Sequence, residues 1–304
     1  MTPILGIISS SKKTSVPIVG TSWTAATISA SSGWLFGMAY GNGVWVATSY
    51  TSGTIAASST DGITWTARTL SATKNWAGVA YGGGKFVTAG DGSSSAAYST
   101  DGITWTNSTM SASLGVNFIG YGAGLFVVTG NGSATASTSP DGITWTSRTL
   151  PSSKSWTGAR YGNGQFVTVS EATSSAAAYS SDGITWTAST LPSTSNWAVA
   201  DYGGGVWCTV SATNGTKAAT SPDGITWTAR TLPTTTTWEN ILWCGSNFVA
   251  IGAAGAATSP DGITWTARSY AGGATGTYKA AATNLNGKIV TARYLYNTTQ
   301  YSTS

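Results

Sequence analysis

One phrase, Ser-x-Asp-Gly-Ile-Thr-Trp, occurs six times along this chain of 304 residues, and its spacing restricts the fold more than any other feature. Its aspartates are Asp61, Asp101, Asp141, Asp182, Asp223 and Asp261, separated by 40, 40, 41, 41 and 38 residues. A degenerate seventh copy stands near the start, where Gly20-Thr21-Ser22-Trp23-Thr24 aligns with Gly62-Ile63-Thr64-Trp65-Thr66. A fixed period near 40 means an array or a closed ring of like units, each burying its apolar face on its neighbours.

Each unit carries four strand signals. The clearest runs Trp156 to Tyr161, a turn at Gly162-Asn163-Gly164, Gln165 to Ser170, Ala176 to Ser180, and Ile184 to Thr190. Glycine and asparagine supply the positive φ that a tight hairpin between right-twisted strands needs. The same slot reads Gly41-Asn42-Gly43, Gly82-Gly83-Gly84 and Gly122-Ala123-Gly124. No stretch has the 3.6-residue period of an amphipathic helix. Four short antiparallel strands per unit describe a blade, so the expected fold is an all-β propeller. The residue before the hairpin turn counts the blades: Tyr40, Tyr81, Tyr121, Tyr161, Tyr202, Trp243 and Asn284 make seven.

The ends support a closed ring spanning residues 20–304. Tyr301-Ser302-Thr303-Ser304 aligns with Tyr98-Ser99-Thr100-Asp101, and Gly20 supplies the next position of the phrase. The C-terminal blade would then take three strands from the end of the chain and its outer strand from Thr21 to Ile28. An open β-solenoid would need no such complementary ends. Residues 1–19 match no repeat and read as an extended tail.

Composition narrows the function. Only 8% of residues are charged, so Ser, Thr, Asn and Gly must cover the surface. The net charge of +4 is small and its Lys and Arg are scattered, which argues against a nucleic-acid stripe. There is no His, and Cys208 and Cys244 have no metal or redox spacing, so they read as buried free thiols. No metal or cofactor is expected, and no membrane insertion. The apolar run Pro3 to Ile8 is too short for a secretion signal, and Lys12 and Lys13 follow it instead of preceding it.

The repeated phrase resembles the Asp-box of sialidase-type and related propellers, in a form with one residue fewer between Asp and Gly. The resemblance implies the fold and leaves the activity open. Locally, the Asp carboxylate is expected to accept backbone N–H bonds of its own turn, Gly to adopt the left-handed conformation, and Trp to pack beneath. The six aspartates are therefore expected to be structural. By the same resemblance, a sialidase needs an arginine cluster, a Tyr–Glu pair and a free Asp. Outside the phrase the acids are Asp91, Asp201, Glu171 and Glu239. Arg68, Arg148, Arg230 and Arg268 repeat three residues after the phrase Trp, around the rim. A glycosidase needs two carboxyls roughly 5–10 Å apart. The expectation is a chain without catalytic activity, and a sialidase-like hydrolase ranks last.

Strand connections in a propeller alternate between two faces. The Gly-x-Gly turns and the Asp phrases share one face and hardly vary. The segments after the second strand and the blade-joining segments share the other face and differ between repeats. Variable loops on a fixed scaffold are where recognition usually lives. The joining segments end at Trp76, Trp156, Trp197 and Trp238, with Trp34 one position off. These tryptophans could stack on sugar rings or wedge between blades as core. The start, Pro3 to Ser10, is similar to that of many tail-fibre and virion-surface proteins of bacteriophages. The resemblance implies a virion surface protein, docked on other virion proteins through residues 1–19 and facing a host receptor or glycan. A cellular lectin-type propeller is the alternative.

Overall fold

The computed structural model of the protein describes residues 24–27, 35–270, 280–283, 289–292 and 298–302. The described residues form 27 strands, numbered β1 to β27 in chain order, and no helix. The tail, residues 1–19, lies outside them, as does the joining segment 271–277.

One unit shows how the repeat folds. β13 (Arg160–Gly162) pairs antiparallel with β14 (Gln165–Val169), and Trp156 joins the ladder through a bridge to Ser170. Asn163 and Gly164 between them have φ of 48° and 77°, the left-handed region that lets a two-residue turn match the strand twist. β15 (Ser174–Ser180) and β16 (Thr187–Ser195) complete the sheet.

The fourth strand starts at Thr187, not at Ile184 as the alternation suggested. The Ile184 and Thr185 N–H groups both donate to the Asp182 carboxylate at 2.8 Å and are lost to the ladder. The strand also runs on to Ser195, where pairing resumes opposite Ser174 after a bulge. β5 (Thr66–Lys74), β12 (Thr146–Lys154) and β20 (Thr228–Thr236) extend likewise. Among the described residues, most of each expected blade-joining segment is therefore strand, prolines included, since an outer edge tolerates a residue without an N–H.

Four sheets hold four consecutive strands each. A seven-stranded sheet arises because β9 (Thr106–Gly122) is 17 residues long. Its first part pairs with Ser93–Ser99 as the last strand of one unit, and its second part pairs with Leu125–Asn131 as the first strand of the next. The sixth sheet has the order β1-β27-β26-β25. In it β1 (Thr24–Thr27) pairs antiparallel with β27 (Thr298–Ser302), Thr24 opposite Tyr301 and Thr27 opposite Thr298. Next to β27 lie β26 (Ile289–Ala292) and β25 (Ala280–Thr283).

The first strands of the units stand side by side. β2 (Leu35–Gly41) contacts β6 (Trp76–Gly82), and β6 contacts β9. β9 contacts β13, which contacts β17 (Trp197–Gly203), which contacts β21 (Trp238–Trp243). β21 contacts β25, and β25 contacts β2.

The core lies between neighbouring sheets. Trp76 is fully buried against Val46, Ala56 and Leu70 of the preceding unit and Phe86 of its own. Burying an indole contributes roughly 4 kcal/mol before the cost of ordering it. Near the hairpin turns the contact is closer still. A Cβ on Gly41 would stand 2.0 Å from the Tyr81 ring, and one on Gly82 would stand 2.1 Å from that of Tyr121. Glycine follows each of the five hairpin tyrosines because the next unit's aromatic rests on it.

Candidate functional site

The repeated phrase builds a self-contained turn. Asp61 Oδ1 accepts hydrogen bonds from Ile63 N–H and Thr64 N–H, both at 2.7 Å, and from the Ser59 hydroxyl at 2.9 Å. Gly62 sits at φ 71°, and its N–H donates to Ser59 Oγ. Burial pushes the Asp61 carboxyl up, but the two N–H donors and the hydroxyl outweigh it and hold the group at about 2. Asp101, Asp141 and Asp261 are lowered against burial in the same way. At Asp182 and Asp223 the N–H of Thr185 or Thr226 is the largest influence. The described hydrogen bonds of these six carboxylates are within their own turns, and the Lys85 charge also helps to lower Asp141. The phrase arginines are equally local: Arg68 Nε donates to Ser58 Oγ and Arg148 Nε to Thr138 Oγ1.

The joining-segment tryptophans stand in the core. Trp76, Trp156, Trp197 and Trp238 are at most 1% exposed. Their indole N–H groups donate to the carbonyls of Ala72, Ser152, Ser193 and Gly215. None of the four offers a ring face to solvent, so they form no open stacking platform. An indole is large enough to fill the wedge between two units, and for Trp76, Trp156 and Trp197 its N–H finds a partner in the extended outer strand. Trp34 lies outside the described residues.

The variable face does carry a polar cleft beside Trp238. Its cavity of about 260 Å³ is lined by Ser195, Ser211, Thr213, Asn214, Thr216 and Lys217. Ser195 Oγ and Ser211 Oγ share a hydrogen bond of 2.7 Å, and Lys217 Nζ donates to Thr194 O at 3.1 Å. Thr213, Asn214 and Lys217 are exposed. The cleft offers hydroxyls, one amide and one ammonium on a braced backbone.

A second cavity, of about 250 Å³, lies on the axis where the first strands meet. β2, β6, β9, β13, β17, β21 and β25 all contribute to its lining. More of its wall is polar than apolar, and Met38, Val79, Ile119 and Leu242, all nearly buried, supply part of the apolar remainder. Tyr40, Tyr81, Tyr121 and Tyr161 line one end, and Tyr161 is 37% exposed. Only two lining residues are charged, Arg160 and Asp201, on the neighbouring strands β13 and β17. Each stands directly before its unit's hairpin tyrosine, where earlier units have Ala39, Ala80 and Gly120.

Asp201 Oδ2 accepts the Trp243 N–H at 2.7 Å. Burial raises the Asp201 carboxyl above its ordinary value, opposed by the Arg160 charge and the backbone N–H groups of Trp243 and Tyr202. Among the described residues, nothing hydrogen-bonds or ion-pairs with the Arg160 guanidinium. Sequence reasoning counted Asp201 among spare acids and passed over Arg160. The signal was present, as two adjacent repeats place opposite charges in a slot that holds Ala39, Ala80, Gly120 and Leu242 elsewhere.

The remaining acids do not converge on one another by any described hydrogen bond. Asp91 ties units together, accepting Val116 N–H at 2.7 Å and the Tyr50 hydroxyl. Glu171 receives a long hydrogen bond of 3.5 Å from Asn131 Nδ2, and Glu239 is buried in β21. Burial also pushes the Cys208 thiol up, which keeps it protonated and unreactive. Among the described residues, no group of three or more His, Cys, Asp or Glu could hold a metal ion. No helix among them is long and apolar enough to cross a membrane.

No family model matches the sequence, and no curated protein is detectably similar to it. Solved structures are similar in fold. Catalytically inactive virginiamycin B lyase from Staphylococcus aureus with quinupristin superposes with a TM-score of 0.81 at 10% identity, over 93% of this chain and 99% of that one. YCF48 bound to D1 peptide gives 0.70 at 14% identity, over 95% and 98%. The Pan2 WD40 domain of Neurospora crassa gives 0.67 at 9% identity, over 93% and 95%.

The protein is thus a β-propeller, built from antiparallel sheets around an axis. At these identities the likeness shows the fold alone. It corrects the expectation of a chain without catalytic activity: the neighbours include lyases, so this architecture hosts enzymes. The spare acids were weighed only against glycoside hydrolysis, which tests one chemistry among many.

Proposed function

We propose that this chain is a closed, seven-bladed recognition propeller displayed on a bacteriophage virion, binding a host-surface glycan through its variable face. The closure reading draws on β1 lying against β27, on the unbroken run of contacts from β2 round to β25, and on β9 serving two blades. On this reading the blade turns are a shortened Asp-box.

The observation that carries the recognition role is the cleft at Ser195, Ser211 and Lys217. Its hydroxyls, the Asn214 amide and the Lys217 ammonium suit a ligand rich in hydroxyl groups. It lies among segments that differ from repeat to repeat, while the opposite face repeats the same turn. The virion setting draws on the first residues of the sequence, with residues 1–19 as the docking segment for other virion proteins.

The test is a glycan array probed with the full chain and with an Asn214→Ala/Lys217→Ala variant of unchanged melting temperature. Binding of a defined glycan set, weakened about tenfold or more in the variant, is the expected result. Binding that the variant retains in full would remove the cleft from the recognition site. No glycan bound by either would remove the glycan reading.

A further inference from the structure

We infer that the axial cavity is a second binding site, shaped for a small zwitterion such as an α-amino acid. The inference is independent of the glycan reading, because it uses different residues in a different cavity.

The argument starts from what a propeller axis needs. Small residues allow the first strands to approach, as Ala39, Ala80 and Gly120 do. No requirement of the fold explains an arginine and an aspartate in that slot, and the aspartate carries a desolvation cost there. The charges are on adjacent strands and face one cavity, so each lowers the cost of the other. They do not neutralise each other by direct hydrogen bonding, and Asp201 spends one oxygen on Trp243 N–H. The guanidinium has five N–H donors in a planar fork that matches a carboxylate, and no described residue takes them.

A ligand carboxylate would complete Arg160, and an ammonium on the neighbouring carbon would face Asp201. At a half-buried wall both charge contacts act more strongly than in bulk water. A volume of about 250 Å³ is below that of drug-sized sites, which suits a ligand of this size. Tyr161, exposed and lining the cavity, marks where it meets solvent.

Calorimetric titration of the full chain with leucine, 4-methylpentanoate and 3-methylbutylamine tests the inference. The second compound lacks the ammonium and the third lacks the carboxylate. The expected result is saturable one-to-one binding of leucine, with each analogue weaker by about tenfold or more. Arg160→Met should abolish the advantage of leucine over the amine. Asp201→Asn should abolish its advantage over the acid. Asn214→Ala/Lys217→Ala should leave leucine binding unchanged. Absence of saturable binding up to about 10 mM, or equal affinity for all three compounds, would overturn the inference. The wild-type series decides the matter even where a variant fails to fold.

Discussion

Asp141 and Asp201 differ in what surrounds their carboxyl groups, and acid should separate them. The six turn aspartates are held low, Asp61 at about 2, by N–H donors of their own turns. Their contribution is fully present above the unfolded-state value near 4 and is lost as pH falls through the folded one. Asp201 is raised, so its contribution declines as pH rises through the carboxyl range. With no His in the chain, the urea midpoint should change between about pH 5 and 8 only through Asp201, and fall between about 4 and 2. Asp141→Ala should cost about 1 kcal/mol at neutral pH, and that difference should shrink toward pH 2. Asp201→Asn should gain on wild type as pH rises from about 4 to 7. Denaturant melts at several pH values check all three. A tighter constraint holds at Gly82: its alanine variant must displace the Tyr121 ring, at a cost of about 1–3 kcal/mol read from the same melts.

At the scale of elements, much of the fold was legible because the repeat fixes the turns. Gly162-Asn163-Gly164 and Asp182-Gly183 mark their hairpins through backbone conformations that few residues adopt. The ends of the outer strands were not legible. Ile184 continues the alternation in sequence, yet its N–H belongs to Asp182, and Pro192 reads as a loop but lies on an edge. Trp156 and Trp197 are equally plausible as platform or wedge from their spacing. Only the packing of adjacent sheets decides, and it decides for the wedge. The charged pair at Arg160 and Asp201 needed the reverse reading, a search for where a repeat departs from its own rule. The pairing of β1 with β27 has its own test. An Ala25→Cys/Gln300→Cys pair stands at directly opposed positions and should form a disulfide under mild oxidation, raising the melting temperature by several degrees. Thiols that remain free would argue against that register.

For the whole molecule, the two proposed sites stand at the axis and on one face. In the scaffold around them each core is shared by two units and none belongs to one unit alone. Propellers with about 10% identity to this chain include lyases and the peptide-bound YCF48, so the frame sets no chemistry by itself. What individualises this chain is the handful of positions where the units disagree: Arg160, Asp201, and the segment from Ser211 to Lys217.

The partnership of Thr24–Thr27 with Thr298–Ser302 also orders events during synthesis. The first of these strands leaves the ribosome well before its partner, which is encoded about 270 residues later. At about 5–20 residues per second, that edge waits some tens of seconds while the intervening sheets assemble. The waiting strand reads Thr-Ala-Ala-Thr, with no charge and no large apolar side chain, which gives it little to aggregate with during the delay. Its docking then completes the sheet it shares with Thr298–Ser302, Ile289–Ala292 and Ala280–Thr283.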